Sequence, residues 1–220
     1  MNTTKPTLDL ECGLLSKIVL AKAGQLIQTE CKQNYPNGID TNQVAVTSSG
    51  QLRHLKNIFH VTCQDYSGDD EASGHLLSQI ISNCLRKLVE MKMTNISLPA
   101  IGAGSLKYPI DLVARCYLDE VSSFLNNQIV ASTGLNVNFV IYEIDLNLRK
   151  AFEFEFDIYS RINSVPNYWS KFPNGFAFDT DFLLIDVDLN SNEGKCLFED
   201  FKEKFHDDVQ IKSLQVNIFL

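Results

Sequence analysis

The feature that most constrains the fold is an alternation of short apolar runs with long amphipathic segments. Two segments, Leu76 to Val89 and Ile110 to Phe124, carry apolar residues at a spacing of three and four, which predicts helices. Short runs such as Ile58 to Thr62 and Asn95 to Ile101 have the composition of buried strands. Helices and strands that alternate in this way predict an α/β sandwich with a mixed, mostly parallel sheet.

Further segments extend this prediction in both directions along the chain. Apolar residues recur at helical spacing from Leu14 to Cys31, and the runs 44–47 and 136–144 have the composition of strands. The run Phe152 to Phe156 alternates phenylalanine with glutamate, a period of two that is typical of strands. Because the pattern changes here, we expect one domain over 1–157 and a small α+β segment over 158–220.

The charge of the chain limits its partners. The formal net charge of −8 disfavours direct binding to DNA or to an anionic membrane, since both depend on a basic surface. No apolar run is as long as a membrane span, and the first residues lack the apolar core of a signal peptide. We therefore expect a protein of the nucleus or cytoplasm. A small phosphorylated ligand is compatible with this charge, because backbone N–H groups can hold phosphate.

The six cysteines are scattered, without a C-x-x-C pair or a cluster with histidine. Cys31, Cys84 and Cys116 fall among apolar residues at helical spacing, so we expect buried thiols and no metal site. His60 lies in an apolar strand, where a buried, hydrogen-bonded histidine is favoured over a metal ligand. The acidic run 69–71 is expected to form a solvated turn.

A loop between a strand and a helix is the strongest candidate for a binding site. The segment Ile101 to Pro109 follows an apolar strand, and Pro109 suits the start of the next helix. Gly102 and Gly104 permit positive φ and a close approach of ligand to backbone, so successive amides can hold phosphate. The pattern alone also fits an ordinary turn, because it matches neither the dinucleotide fingerprint nor the P-loop.

Several motifs in order resemble the macrodomain family. Residues 98–109, LPAIGAGSLKYP, look like the family's "PAIGTGxxGxP" loop, and residues 23–31, AGQLIQTEC, are similar to its "AGxxLxxEC" helix. Residues 46–52 and 58–61 resemble its "VVTxGxxL" and "IIHV" segments, and 140–143 its last core strand. The resemblance covers about residues 1–150 and is closest to macrodomains attached to mono-ADP-ribosyltransferases. It implies a three-layer α/β/α sandwich.

The resemblance also implies a ligand, ADP-ribose or ADP-ribosylated protein, with no required cofactor and no catalytic residue assigned. The loop after the strand would hold the diphosphate and distal ribose, and Tyr142 would stack on adenine. Tyr108 would either flank the ribose or pack under the loop. The implied site residues are Gly13, Leu14, Ser16, Ile101, Gly102, Ala103, Gly104, Ser105, Leu106, Tyr108 and Tyr142.

The chain departs from the family pattern near its start. The segment Leu10 to Ser16 has Gly13 where the family has two or three glycines, and Glu11 brings a carboxylate near the expected pyrophosphate. The start resembles the family's "N-x-x-N" motif, but Lys5 takes the place of its second asparagine. Because this motif normally follows two strands, we expect an N-terminally incomplete domain whose sheet lacks its first strands.

Residues 158–220 resemble the opening of an ADP-ribosyltransferase catalytic domain of the poly(ADP-ribose) polymerase superfamily. The resemblance lies in a "P-x-x-W" entry at Pro166 to Trp169 and in the strand Ile211 to Asn217. That family's NAD-binding and catalytic motifs are not found here, so NAD would bind only to an active parent transferase. A small extension that packs on the macrodomain is the alternative.

Four functions stay open at this point. A module that binds ADP-ribose or mono-ADP-ribosylated protein is favoured. Binding needs only the two loops, at Leu10 to Ser16 and Ile101 to Pro109, and the stacking of Tyr142 on adenine. A hydrolase that removes ADP-ribose is disfavoured by Lys5 and by the single glycine of the first loop. The third possibility is a transferase, and the fourth is a fragment without activity of its own.

Overall fold

The computed structural model of the chain describes residues 1–125, 135–141, 145–163 and 213–216. Its strands are β1 (Asn2–Thr4), β2 (Ala45–Ser48), β3 (Asn57–Thr62), β4 (Asn95–Pro99), β5 (Asn136–Val140) and β6 (Ser213–Val216). Its helices are α1 (Leu14–Ala23), α2 (Leu26–Asn34), α3 (Asp70–Glu90), α4 (Ile110–Leu125) and α5 (Leu146–Asn163). The predicted alternation of strands and helices is confirmed.

The described strands form two groups of three, in the orders β1-β3-β2 and β4-β5-β6. β1 pairs parallel with β3 and β4 pairs parallel with β5, whereas β2 and β6 are antiparallel to their neighbours. A hydrogen bond of 2.9 Å from the amine of Met1, the residue before β1, to the carbonyl of Ser97 in β4 connects the two groups. The predicted mixed sheet is therefore present.

Alternating side chains of β3 bring a helical layer to each face of the sheet. Phe59 and Val61 lie in a core cluster with residues of α3, α4 and α5. Ile58 lies in a second cluster with residues of α1 and α2. Because neighbouring side chains of a strand project to opposite faces, these clusters lie on opposite sides of the sheet. This arrangement is the predicted three-layer α/β/α sandwich.

Several predictions about polar residues can be checked in the described part of the chain. Cys31, Cys84 and Cys116 are buried, as predicted. Asp69 precedes α3, and its carboxylate accepts hydrogen bonds from the N–H groups of the next turn, so the exposed acidic run begins a helix. Within the described ranges, no group of three or more metal-ligating side chains could hold an ion. No helix in those ranges is long and apolar enough to cross a membrane.

The segment predicted as one helix from Leu14 to Cys31 is in fact two helices. Gly24 ends α1 with a φ of 83°, and its N–H donates to the carbonyl of Leu20 at 2.8 Å. Glycine adopts positive φ readily, so the chain turns at this point before α2 begins at Leu26. The prediction was wrong because the apolar spacing continues on both sides of the break.

The interpretation of Phe152 to Phe156 as a strand-like repeat is also wrong, because the run lies inside α5. Phe152 and Phe156 are four residues apart and share one helix face, and both are buried. Phe154 falls on another face and is 65% exposed. The ring of Phe152 lies 5.8 Å from that of Tyr117 and 5.4 Å from that of Phe139. This aromatic cluster packs α5 against the domain.

The C-terminal predictions are only partly within the described residues. α5 runs to Asn163, through the boundary that we predicted at residue 157. β6 lies within the strand predicted near the C-terminus and pairs antiparallel with β5. The segment that carries the "P-x-x-W" resemblance lies outside the described residues, and so does Tyr142. The transferase resemblance therefore stays a prediction.

Candidate functional site

The carboxyl ends of four strands open into one cleft of about 740 Å³. Thr4 of β1, Cys63 directly after β3, Pro99 of β4 and Val140 of β5 all line it. The loop after β4 and the start of α1 form further parts of its wall. Ligands of α/β sheets bind beyond the carboxyl ends of strands, so this cleft is the candidate site.

The loop after β4 keeps its shape through contacts beneath it. Gly102 has a φ of 96°, and a Cβ at this position would lie 2.8 Å from Cγ of Tyr108. The N–H of Tyr108 donates to the carbonyl of Gly102 at 3.0 Å, and that of Lys107 to Gly104 at 3.1 Å. Only glycine fits at position 102, because the backbone lies directly against the aromatic ring.

The same loop leaves backbone donors unused. In the part of the chain that the structure describes, the N–H groups of Gly104, Ser105 and Leu106 donate to no acceptor. All three residues line the cleft. A methyl group added at Gly104 would meet no atom within 4 Å, so the space beside it is open. Three successive free amides beside open space suit the binding of an anion.

The N-terminus of α1 supplies a second set of donors. Gly13 precedes the helix with a φ of 91°, and no side chain caps the first turn, which contains no acidic residue. The N–H groups of Leu14 and Leu15 have no acceptor among the described residues, and both residues line the cleft. The positive end of the helix dipole adds to their attraction for anions. Glu11, the expected source of repulsion, does not line the cleft.

Among the described residues, four charged side chains line the cleft, two lysines and two aspartates: Lys5, Lys22, Asp65 and Asp145. The carboxylate of Asp145 accepts the N–H of Leu148 at 3.0 Å, in the first turn of α5. This carboxylate is therefore held as a helix cap. The charges of these four side chains sum to zero, so the backbone donors supply the main attraction for a phosphate.

Most of the predicted site residues that the structure describes line this cleft. They are Gly13, Leu14, Ile101, Gly102, Ala103, Gly104, Ser105 and Leu106. Ser16 and Tyr108 do not. Ser16 is fully buried, and its hydroxyl donates to the carbonyl of Thr3 at 2.8 Å. Tyr108 is 3% exposed and donates to the carbonyl of Gln64 at 3.1 Å, so it has the second predicted position, under the loop.

A buried tyrosine supports the loop from below. The hydroxyl of Tyr117, on α4, accepts the N–H of Ile101 at 2.8 Å and donates to the carbonyl of Pro99. It therefore connects α4 to the chain on both sides of the junction between β4 and the loop. Burial raises the pKa of Tyr117 well above its usual range, so the hydroxyl stays protonated. In the sequence, Tyr117 falls within the apolar pattern of Ile110 to Phe124, which does not indicate this contact.

Asn2, the first residue of the asparagine motif, does not line the cleft. Its side-chain amide bonds to Nδ1 of His60 at 3.0 Å and accepts from the hydroxyl of Ser16 at 3.3 Å. Nε2 of His60 lies 2.9 Å from Oγ1 of Thr47, whose hydroxyl donates to the carbonyl of Ser48. Burial lowers the pKa of His60 to about 3, so the ring is neutral near pH 7. The prediction of a buried, hydrogen-bonded histidine is confirmed.

The chain is similar in sequence to proteins of a known family. The family model described as "Macro domain" matches residues 2–117. An uncharacterised protein of Sulfurisphaera tokodaii is 31% identical over 149 residues, which cover 63% of this chain and 80% of that protein. The human protein mono-ADP-ribosyltransferase PARP14 is 29% identical over 158 residues, which cover 71% of this chain but only 9% of that protein.

Solved macrodomains have a similar fold. The Oceanobacillus iheyensis macrodomain with ADP matches with a TM-score of 0.62 and 23% sequence identity, covering 74% of this chain and 86% of that chain. A mutant of the same macrodomain with ADPR matches with a TM-score of 0.61. Because the family model covers more than half of the 220 residues, the chain belongs to the macrodomain family.

Proposed function

We propose that the cleft binds ADP-ribose, either free or attached to a protein as a mono-ADP-ribosyl group. The observation that carries this proposal is the pair of donor sets in one cleft, the amides of 104–106 and those at the start of α1. A diphosphate has enough oxygens to accept hydrogen bonds from both sets. The solved Oceanobacillus iheyensis macrodomain, with ADP in one structure and ADPR in another, supports this proposal.

The size and lining of the cleft fit the rest of such a ligand. Its volume of about 740 Å³ lies in the range of pockets that bind small molecules. Apolar side chains such as Leu15, Ile18 and Leu148 line it. These surfaces can pack against the adenine and ribose rings, while the backbone donors hold the charged centre. Backbone donors also explain how an acidic chain can hold a doubly charged ligand.

Binding is favoured over hydrolysis of the ADP-ribosyl bond. The side-chain amide of Asn2 already bonds to His60 and Ser16, so it is not free to position a water molecule in the cleft. Lys5, which takes the place of the second asparagine of the motif, lines the cleft. A cation at this position adds attraction for phosphate but cannot accept a proton from water while it is charged. The proposed role is therefore that of a reader.

Isothermal titration with ADP-ribose, ADP and adenosine tests the proposal. We expect saturable binding of ADP-ribose and ADP and much weaker binding of adenosine, because adenosine lacks the phosphates that the amides would bind. A Gly104→Val variant provides the control, because its side chain would fill the open space beside the free amides. Absence of heat with ADP-ribose at high micromolar concentration would contradict the proposal.

A second assay separates reader from hydrolase. We expect the chain to retain a mono-ADP-ribosylated protein on a column and to leave its label in place. Release of the label would instead establish a hydrolase. The transferase activity of a parent protein stays a separate prediction, and we expect no self-modification when this chain is incubated with labelled NAD.

A further inference from the structure

Two threonine hydroxyls at the ends of neighbouring strands are buried without a partner. Thr4 on β1 and Thr62 on β3 are register partners in the parallel pair. They are 8% and 2% exposed, and neither hydroxyl has a hydrogen-bond partner among the described residues. A buried hydroxyl that has lost its water and gained no partner is unfavourable. Both hydroxyls are therefore unfavourable in the protein without a further partner.

The surroundings of the two threonines differ in one respect. Thr4 is among the residues that line the cleft, whereas Thr62 is not. Both lie at the ends of the paired strands β1 and β3, and both are less than 9% exposed. The hydroxyl oxygen of Thr4 is itself buried, so a rotation of the side chain is needed to turn it into the cleft. Of the two threonines, Thr4 is nevertheless the one that a bound ligand can contact.

Thr4 belongs to the strand that contacts the first turn of α1. The side chain of Asn2 accepts a hydrogen bond from Ser16, in the first turn of α1, and the carbonyl of Thr3 accepts one as well. Asn2 and Thr4 are two residues apart in β1, so their side chains project to the same face, the one that contacts α1. Thr4 and the residues at the start of α1, Gly13 to Leu15, line the same cleft, and β1 contacts α1 through Thr3 and Ser16.

We infer that the hydroxyl of Thr4 donates a hydrogen bond to a phosphate oxygen of the ligand at the N-terminus of α1. The inference rests on the proposed function, which places a diphosphate there. A hydroxyl that donates to an anion makes a stronger bond than one between neutral groups. Thr4 adds a side-chain donor to a site otherwise built from backbone donors.

Paired valine substitutions test this inference, because valine keeps the shape of threonine and removes the hydroxyl. We expect Thr4→Val to weaken the binding of ADP-ribose and of ADP by the same factor, about tenfold or more. We expect Thr4→Ser, which keeps a hydroxyl, to bind nearly as tightly as the wild type. Thr62→Val is the matched control and is expected to leave both affinities within about twofold.

Thermal unfolding without ligand supplies an independent readout. Because the hydroxyl of Thr4 has no partner in the protein, Thr4→Val is expected to melt at the wild-type temperature or above it. A lower melting temperature would assign the hydroxyl a structural role and overturn the inference.

The binding outcomes separate this inference from the proposed function. If the wild type binds and Thr4→Val binds equally well, the inference fails and the proposed function stands. If Thr4→Val weakens ADP-ribose but not ADP, the hydroxyl contacts the distal ribose, and the inference about phosphate fails. If the wild type binds neither ligand, both fail.

Discussion

Substitution of Gly102 by alanine tests how the loop after β4 keeps its shape. The backbone at Gly102 has a φ of 96°, which costs a residue with a Cβ about 1–2 kcal/mol. The added Cβ would also lie 2.8 Å from Cγ and 3.0 Å from Cβ of Tyr108. Tyr108 is 3% exposed and bonded through its hydroxyl to Gln64, so its ring has little room to move. Overpacking of this kind costs about 1–3 kcal/mol more.

Together these effects predict that Gly102→Ala lowers the free energy of unfolding by about 2–5 kcal/mol. For a domain of this size, each kcal/mol lowers the melting temperature by about 2–4 °C. Calorimetry or circular dichroism on heating measures this change. Gly104→Ala is the matched control, because Gly104 has no positive φ and no neighbour within 4 Å of an added Cβ.

The two variants are expected to separate stability from binding. Gly104→Ala should melt within about 1 °C of the wild type, since a surface change of this kind costs little. It should nevertheless bind ADP-ribose more weakly, because its methyl group takes up open space beside the free amides. A wild-type melting temperature for Gly102→Ala, or an equal loss of stability in both variants, would show that the contact with Tyr108 does not fix the residue at position 102.

Two further predictions concern buried polar side chains, one in the sheet and one beneath the loop after β4. Burial lowers the pKa of His60 from 6.5 to about 3. Between these two pH values the unfolded chain binds a proton at His60 that the folded chain does not, so the free energy of unfolding falls as the pH falls below 6.5. Urea unfolding should show that the free energy of unfolding falls by about 2 kcal/mol because of this group between pH 6.5 and pH 5, and that this loss is absent in His60→Gln. The same dependence on pH in the wild type and in His60→Gln would contradict this prediction. Tyr117→Phe keeps the ring but removes the hydroxyl between Pro99 and Ile101, so it should lower the free energy of unfolding by about 1–2 kcal/mol in the same assay. Wild-type stability for this variant would show that the hydroxyl does not support the loop.

The order of strands and helices could be predicted because burial imposes a period on each segment. β3 and α3 follow their apolar patterns closely. The pattern failed where one spacing fits two structures. Phe152 and Phe156 satisfy both a period of two and the helical spacing of four, and the exposed Phe154 distinguishes the two structures. At Gly24 the backbone, and not the apolar pattern, ends the helix.

The candidate site could be predicted as far as its main-chain segments are concerned. The loop after β4 follows a strand directly, so its neighbours along the chain identify it. Partners of buried side chains could not be predicted, because they depend on segments far apart in sequence. Tyr108 and Tyr117 both occupy positions near the loop, yet one packs under Gly102 and the other bonds to Pro99 and Ile101. The buried, unpartnered hydroxyl of Thr4 has no signature in the sequence.

Amide NMR shows whether the free backbone amides of the two segments hold the diphosphate of ADP-ribose. A titration of the ¹⁵N-labelled chain with ADP-ribose follows each N–H group separately. We expect the largest changes in chemical shift at the free amides, which are those of Gly104, Ser105, Leu106, Leu14 and Leu15. Saturating ADP-ribose that leaves these five amides unchanged, or that shifts only amides outside the cleft, would contradict it.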